Sequence, residues 1–163
     1  MILVGLGSNL LSAAGDTPVD NCRRALELME KSGFYLEAVS RFYKTAPIPA
    51  SDQPWYVNAV ASVQTELPPE AVLDRLLEIE SAMGRQRGER NAARIVDLDL
   101  LAYDDLVLDS DRLILPHPRL AERAFVLLPL KDIAPDWIHP VTNRSMTTLI
   151  DALDPTQKVE LLD

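Results

Sequence analysis

Hydrophobic positions along the chain follow two rhythms, one of period two and one of period three to four, and the switches between them mark the elements. Residues 2–6 are continuously apolar and end at Gly7-Ser8-Asn9, which predicts a buried first strand. Asp16 or Thr17 is placed to cap a helix with Pro18 in its first turn. Val19, Cys22, Leu26 and Met29 form its apolar stripe, and Gly33 stops it. Residues 34–45, rich in aromatic and β-branched types, predict a second strand. Pro47, Pro49 and Pro54 then exclude a helix or a central strand. Across 55–66 the alternation returns: Val57, Ala59, Ala61 and Val63 share one face, and Tyr56, Asn58, Ser62 and Gln64 the other.

Pro68-Pro69-Glu70 opens a second helix, with Val72, Leu73, Leu76, Leu77, Glu80 and Met83 on its inner stripe and Gly84 at its end. A charged loop follows from Arg85 to Ala93, then a strand from Arg94 to Tyr103. Leu113 to Pro118 is extended and bounded by proline; Ala121–Leu127 and Thr147–Leu153 predict two further helices. No internal repeat or low-complexity stretch interrupts this order. The pattern is β-α-β-β-α-β with C-terminal additions. It predicts an α+β, ferredoxin-like fold, an antiparallel sheet with helices packed on one face and the other face free to carry a site.

Composition narrows the function. A chain of 163 residues, 47% hydrophobic and 25% charged, fits one domain over 1–163 with a core of its own. The net charge of −9 argues against a broad nucleic-acid surface and requires any polyanion to be met by local cations or metal. Cys22 is the one cysteine, so no internal disulfide forms and a reducing, cytoplasmic compartment is expected. Its helical spacing makes it a small buried hydrophobe rather than a nucleophile. The apolar start lacks the basic and hydrophobic regions of a signal peptide, and no apolar run approaches the ~20 residues of a membrane span.

The strongest chemical feature is Ile95-Val96-Asp97-Leu98-Asp99-Leu100-Leu101. On a strand Asp97 and Asp99 project together while Val96, Leu98 and Leu100 face the core. Adjacent carboxylates repel unless a cation joins them, and magnesium prefers hard oxygens of this kind. A solvated strand face is the plain alternative. Arg85, Arg87, Arg90 and Arg94 precede the pair, opposed only by Glu89. Guanidinium forks suit phosphate oxygens, so the adjacency favours a magnesium–polyphosphate site. His117, set between Pro116 and Pro118, is aimed to donate to a phosphate or to shape a turn, and Arg119, Arg123 and Phe125 follow it. Tyr56 and Phe125 could wall a flat pocket, with Asn58 reading a heterocycle edge. Glu80 on an apolar stripe either reaches water or partners a buried donor or ligand. His139 reads as a loop residue. No Walker loop, zinc pattern or nucleophile elbow occurs.

Five motifs occur in one order: Gly7-Ser8-Asn9, Phe42-Tyr43-Lys44-Thr45-x-Pro47, Gln53-Pro54-x-Tyr56-x-Asn58-Ala59, Arg94-x-x-Asp97-Leu98-Asp99, and Pro116-His117 followed by Arg123-x-Phe125. In this the chain resembles the 6-hydroxymethyl-7,8-dihydropterin pyrophosphokinase family over nearly its whole length. The resemblance implies transfer of pyrophosphate from ATP to the pterin's hydroxymethyl group in folate synthesis, releasing AMP. It implies two magnesium ions on Asp97 and Asp99. It gives the triphosphate to Arg85, Arg87, Arg94, His117 and Arg123, with Glu80 near the ATP pocket and Arg85 and Arg94 as catalytic cations beside the aspartates. It gives the pterin to Thr45, Pro47, Ile48, Tyr56, Asn58 and Phe125, the ring stacked between Tyr56 and Phe125. The expected partners are ATP and hydroxymethyldihydropterin alone, with no nucleic acid or membrane, for a monomer. The chain departs from the family at Arg90-Asn91-Ala92-Ala93-Arg94, where Arg-Trp-Gly-Pro-Arg is frequent, and at Pro118, where tyrosine is common. The loops 10–16, 46–54 and 85–93 are expected to close on ATP. Two other functions fit parts of the pattern: another two-metal nucleotidyl or phosphoryl transferase, and a non-enzymatic ligand-binding module.

Overall fold

The computed structural model describes residues 1–11, 15–47, 54–84 and 95–162. Strand β1 (Ile2–Ser8) pairs antiparallel with β4 (Tyr56–Gln64) on one side and β5 (Asp97–Tyr103) on the other. The strand is central and buried over most of its length, which is why its sequence is almost wholly apolar. Strands β2 (Tyr35–Val39) and β3 (Tyr43–Thr45) both pair with β4, and β8 (Val159–Leu161) extends the sheet beyond β3. The order β5-β1-β4-β3-β8 is the antiparallel ferredoxin-like arrangement with one added edge strand.

Helix α1 (Pro18–Lys31) starts where the sequence places it, and the cap is Thr17. Its hydroxyl accepts from the Asp20 amide at 3.2 Å while the Asp20 carboxylate accepts from the Thr17 amide at 3.2 Å, a reciprocal capping box. Gly33, at φ +96°, takes the left-handed turn that ends the helix region. Helix α2 (Pro69–Ala82) opens on proline, whose missing N–H would be unpaired there anyway. Both helices bury their stripes against one sheet face. Cys22, Met29, Val72 and Leu76 meet Val4 and Leu6 in a single cluster.

The single strand expected over 34–45 is two strands. The break lies at Ser40, whose amide donates to the Val60 carbonyl at 2.9 Å while its hydroxyl accepts from the Val60 amide at 2.9 Å. One side chain therefore replaces part of the ladder and bends the chain without any change in composition. Strand β5 begins at Asp97, and Arg94, where the sequence pattern started it, lies outside the described residues; β1 runs on to Ser8. Leu108–Asp109 (β6) and Ile114–Leu115 (β7) form a short hairpin.

The expected helix at 121–127 is a 3-10 turn (Leu120–Glu122) followed by α3 (Ala124–Ile133), which passes through Pro129. Helix α4 spans Met146–Asp151. These C-terminal additions cover part of the opposite sheet face: Leu127, Leu130 and Leu149 pack on Leu3, Val60 and Leu101. The uncovered remainder of that face is where a site can form. Leu127 is 0% exposed, so Leu127→Ala should lower unfolding free energy by about 2–5 kcal/mol in urea titrations. A loss below about 1 kcal/mol would show that α3 is not held by this packing.

Candidate functional site

The open part of the sheet face is built by register. Gly7 pairs with Asn58 on β4 and with Asp97 on β5; Gly5 pairs with Val60 and with Asp99. Residues two apart on a strand share a face, so carboxylates, glycines and the carboxamide stand in rows across three strands. The glycines form the floor between them. A Cβ at Gly7 would lie 3.0 Å from Asn58 Oδ1, and one at Gly5 would lie 3.3 Å from a Leu101 methyl. Above this floor is a cavity of about 1030 Å³ whose lining includes Thr45, Tyr56, Asn58, Asp97, Arg123 and Phe125.

Each wall has an identifiable support. Asn58 Nδ2 donates to the buried Thr45 hydroxyl at 2.7 Å, which holds the carboxamide over Gly7. Among the described residues, Asn58 keeps a second N–H and its Oδ1 for a ligand. Arg123 lies over the Phe125 ring, its guanidinium carbon 5.3 Å from the centroid. On β5, Asp97 is half-buried and Asp99 exposed. Strand β5 is an edge, and the amide between the two aspartates, that of Leu98, donates outward to Glu80 Oε2 at 2.8 Å. Glu80 is 3% exposed. Of the two roles the sequence left open for Glu80, it is the partner of a buried donor.

A second cavity of about 350 Å³ lies on the far side of β5, lined by Leu73, Leu77, Glu80, Leu98, Asp99 and His117 among others. Asp99 thus borders both spaces. The His117 amide donates to the Leu101 carbonyl at 2.8 Å, and its Nδ1 accepts from the Arg119 amide at 3.1 Å. The neutral ring therefore carries its proton on Nε2 and can donate from there. Burial pushes the His117 pKa below the ordinary histidine value; Asp99 opposes this, and Arg123 and Arg119 reinforce it. Burial likewise lowers the Arg123 pKa, again against the pull of Asp99.

The structure therefore brings together Thr45, Pro47, Tyr56, Asn58, Asp97, Asp99, Arg123 and Phe125 at one cavity, with Glu80 and His117 at its neighbour. Ile48, Arg85, Arg87, Arg90 and Arg94, and the altered stretch 90–94, lie outside the described residues. The sequence reading gave no role to Gly5, Arg119, Asp154, Thr156, Gln157 or Lys158, which also line the larger cavity. Arg119 had a signal, standing four residues before Arg123. The C-terminal segment had none. Cys22 is buried, and burial pushes its thiol up to about 12, so it is no nucleophile. His139 Nδ1 accepts from the Val141 and Thr142 amides at 3.2 and 3.3 Å, a structural turn.

The aspartate pair suits magnesium. It offers hard oxygens side by side, and among the described residues no group of three or more His, Cys, Asp or Glu side chains gathers as a closed metal cage. Magnesium retains water and takes further ligands from phosphates, so two protein carboxylates suffice.

A family model described as 7,8-dihydro-6-hydroxymethylpterin-pyrophosphokinase matches residues 3–135. A 2-amino-4-hydroxy-6-hydroxymethyldihydropteridine pyrophosphokinase of Haemophilus influenzae is 38% identical over 159 residues, covering 97% of this chain and 96% of the relative. One from Methylorubrum extorquens is 38% identical over 153 residues, 94% of this chain and 93% of the relative. Among solved structures, wild-type Plasmodium falciparum HPPK-DHPS with STZ-DHP aligns with a TM-score of 0.71 at 16% identity over 92% of this chain. The chain spans 42% of that larger protein, and the likeness is one of fold.

The electrostatics give a direct test on the two histidines. Proton NMR titration should place both midpoints below the ordinary value of 6.5, because burial disfavours the imidazolium of each. A His117 midpoint at or above 6.5 would mean that the field of Asp99 outweighs burial and the flanking arginines.

Proposed function

We propose, from the premise that the chain belongs to the 7,8-dihydro-6-hydroxymethylpterin-pyrophosphokinase family, that the two cavities on either side of Asp99 receive the two substrates of that reaction. The enzyme transfers a pyrophosphoryl group from ATP to the hydroxymethyl oxygen of 6-hydroxymethyl-7,8-dihydropterin, a step of folate synthesis. The hydroxymethyl oxygen bonds to the β-phosphorus, the bridge to the α-phosphate breaks, AMP leaves, and the hydroxyl proton is released. The observation that carries the assignment of roles is the row Asp97, Gly7, Asn58, which sets carboxylate and heterocycle reader on either side of a bare floor.

In this reading the pterin lies in the larger cavity. Tyr56 and Phe125 supply flat faces, and Asn58, held by Thr45, pairs with the heterocycle edge. The floor at Gly7 lets the ring approach the sheet backbone. The leucine-walled second cavity beside Glu80 suits the nucleoside of ATP, with the phosphates crossing Asp99 toward Arg123. His117 Nε2 and the Arg123 guanidinium donate to phosphate oxygens. The resemblance adds Arg85, Arg87 and Arg94 to that set. Asp97 and Asp99 would hold magnesium, which would neutralise phosphate charge there. Glu80 acts through the backbone, fixing the peptide between the two aspartates.

Catalysis rests on placing the alcohol oxygen in line with the β-phosphorus and on neutralising charge, as phosphoryl transfer requires. The chain is read as one catalytic domain over 1–163, acting as a monomer in the cytoplasm, consistent with its single buried cysteine. Among the described residues, no helix is long and apolar enough to cross a membrane.

Incubation with ATP, magnesium and hydroxymethyldihydropterin should yield AMP only when the pterin is present; release of inorganic pyrophosphate instead would assign a nucleotidyl transferase. Asp97→Ala should lower kcat on the order of 10³-fold with far-UV circular dichroism unchanged. Near-normal turnover would refute the metal role. Gly7→Ala, which forces a methyl against Asn58 Oδ1, should raise the pterin KM by about tenfold, a loss of ~1.4 kcal/mol. An unaltered KM would mean that the ring does not lie on this floor.

A further inference from the structure

Helix α3 begins without a capping side chain of its own, although its first residues carry two of the groups assigned to the substrates, Arg123 and Phe125. The first amides of a helix have no partner within it. Here the missing partner comes from the other end of the fold. Gln157 Oε1 accepts from the Ala124 amide at 2.9 Å, and Gln157 Nε2 donates to the Glu122 carbonyl at 2.9 Å. One carboxamide thus grips the backbone on both sides of Arg123. A carboxamide offers donor and acceptor on separate atoms of one tip, and glutamine has the length to span both groups.

The same segment is tied to the opposite wall of the cavity. The Lys158 carbonyl accepts from the Ala46 amide at 3.2 Å, and Val159 pairs with Thr45 across β3 and β8. Thr45 in turn holds Asn58. Gln157 is itself set by a local turn, in which Asp154 Oδ1 accepts from the Thr156 amide at 2.9 Å and hydroxyl at 2.7 Å. Residues 154–161 therefore form a strap that joins the Phe125 wall to the Thr45–Asn58 wall.

We propose that Gln157 is a positioning residue for the pterin slot, fixing the distance between its two walls by clamping the entry to α3. The inference rests on the pterin-transfer reading above. Arg123 reaches its target through a long side chain that can re-aim after a small backbone shift. The Phe125 ring has two side-chain torsions and follows the backbone. Loss of the clamp should therefore fall on pterin binding more than on ATP binding or on the chemical step.

The test is steady-state kinetics on the full chain with ATP and magnesium saturating and the pterin varied. Gln157→Ala should raise the pterin KM by about tenfold, with kcat and the ATP KM within about threefold of wild type. Gln157→Glu keeps an acceptor for Ala124 but sets an oxygen against the Glu122 carbonyl in place of a donor, so its pterin KM should rise as well. A merely structural role would lower the melting temperature and leave the pterin KM in place. An active wild type whose Gln157→Ala variant keeps a pterin KM within about twofold overturns the clamp alone. A wild type without pterin-dependent AMP overturns the functional reading and the clamp's assignment together.

Discussion

The site depends on the register of β1 between β4 and β5. That register sets Gly7 between Asn58 and Asp97, and Gly5 between Val60 and Asp99. Side chains alternate with a period of two, so a slip of one residue would turn Ile2, Val4 and Leu6 out of the core and the glycines into it. The hydrophobic effect that buries those three residues against α1 and α2 therefore also aims the aspartates. Folding and site geometry are specified by the same alternation, read on opposite faces of the strand.

Carboxylates side by side on an edge strand are a liability, because they repel and because an edge frays. The structure answers the second problem from behind. Glu80 takes the Leu98 amide, so the outer side of β5 is held between the two aspartates. The far end of β1 is tied to the entry of β5 by Ser8, whose hydroxyl donates to the Ile95 carbonyl at 2.6 Å. Buried Asn21 of α1 joins them, donating to Ser8 Oγ at 3.2 Å and to the Leu10 carbonyl at 2.8 Å. On the other wall, Asp132 of α3 accepts from Arg41 at 2.8 Å and from the Tyr43 hydroxyl at 2.9 Å, fastening α3 to β3. Groups that line the candidate site are thus set by groups outside it, which is how a site keeps its geometry before ligands arrive.

Much of this was legible in the sequence, for a physical reason. Alternation and helical spacing are imposed by burial, and burial dominates folding energetics. The faces assigned to Tyr56 and Asn58, to Asp97 and Asp99, and to Cys22 and Met29 follow from it directly. Glu80 announced itself as a charge on an apolar stripe, although only the fold reveals that its partner is the Leu98 amide. What stayed hidden depends on single hydrogen bonds without a periodic signature. Ser40 divides one predicted strand into two through its hydroxyl. Gln157 reaches back 33 residues to Ala124 from a stretch with no apolar rhythm, and β8 is three residues long. Helix α3 runs through Pro129, a residue that sequence rules use to end helices, because its stripe is buried on the sheet.

The central claim is that metal-bound triphosphate sits on the Asp97–Asp99 edge, across the glycine floor from Asn58. Manganese in place of magnesium, with a non-hydrolysable ATP analogue, makes this visible through paramagnetic broadening of backbone amides in isotope-labelled protein. The account predicts that signals of Asp97, Leu98, Asp99, Gly5 and Gly7 vanish first, with Asn58 next and the α4 amides unaffected. Broadening centred elsewhere, or lost equally across the chain, would contradict it.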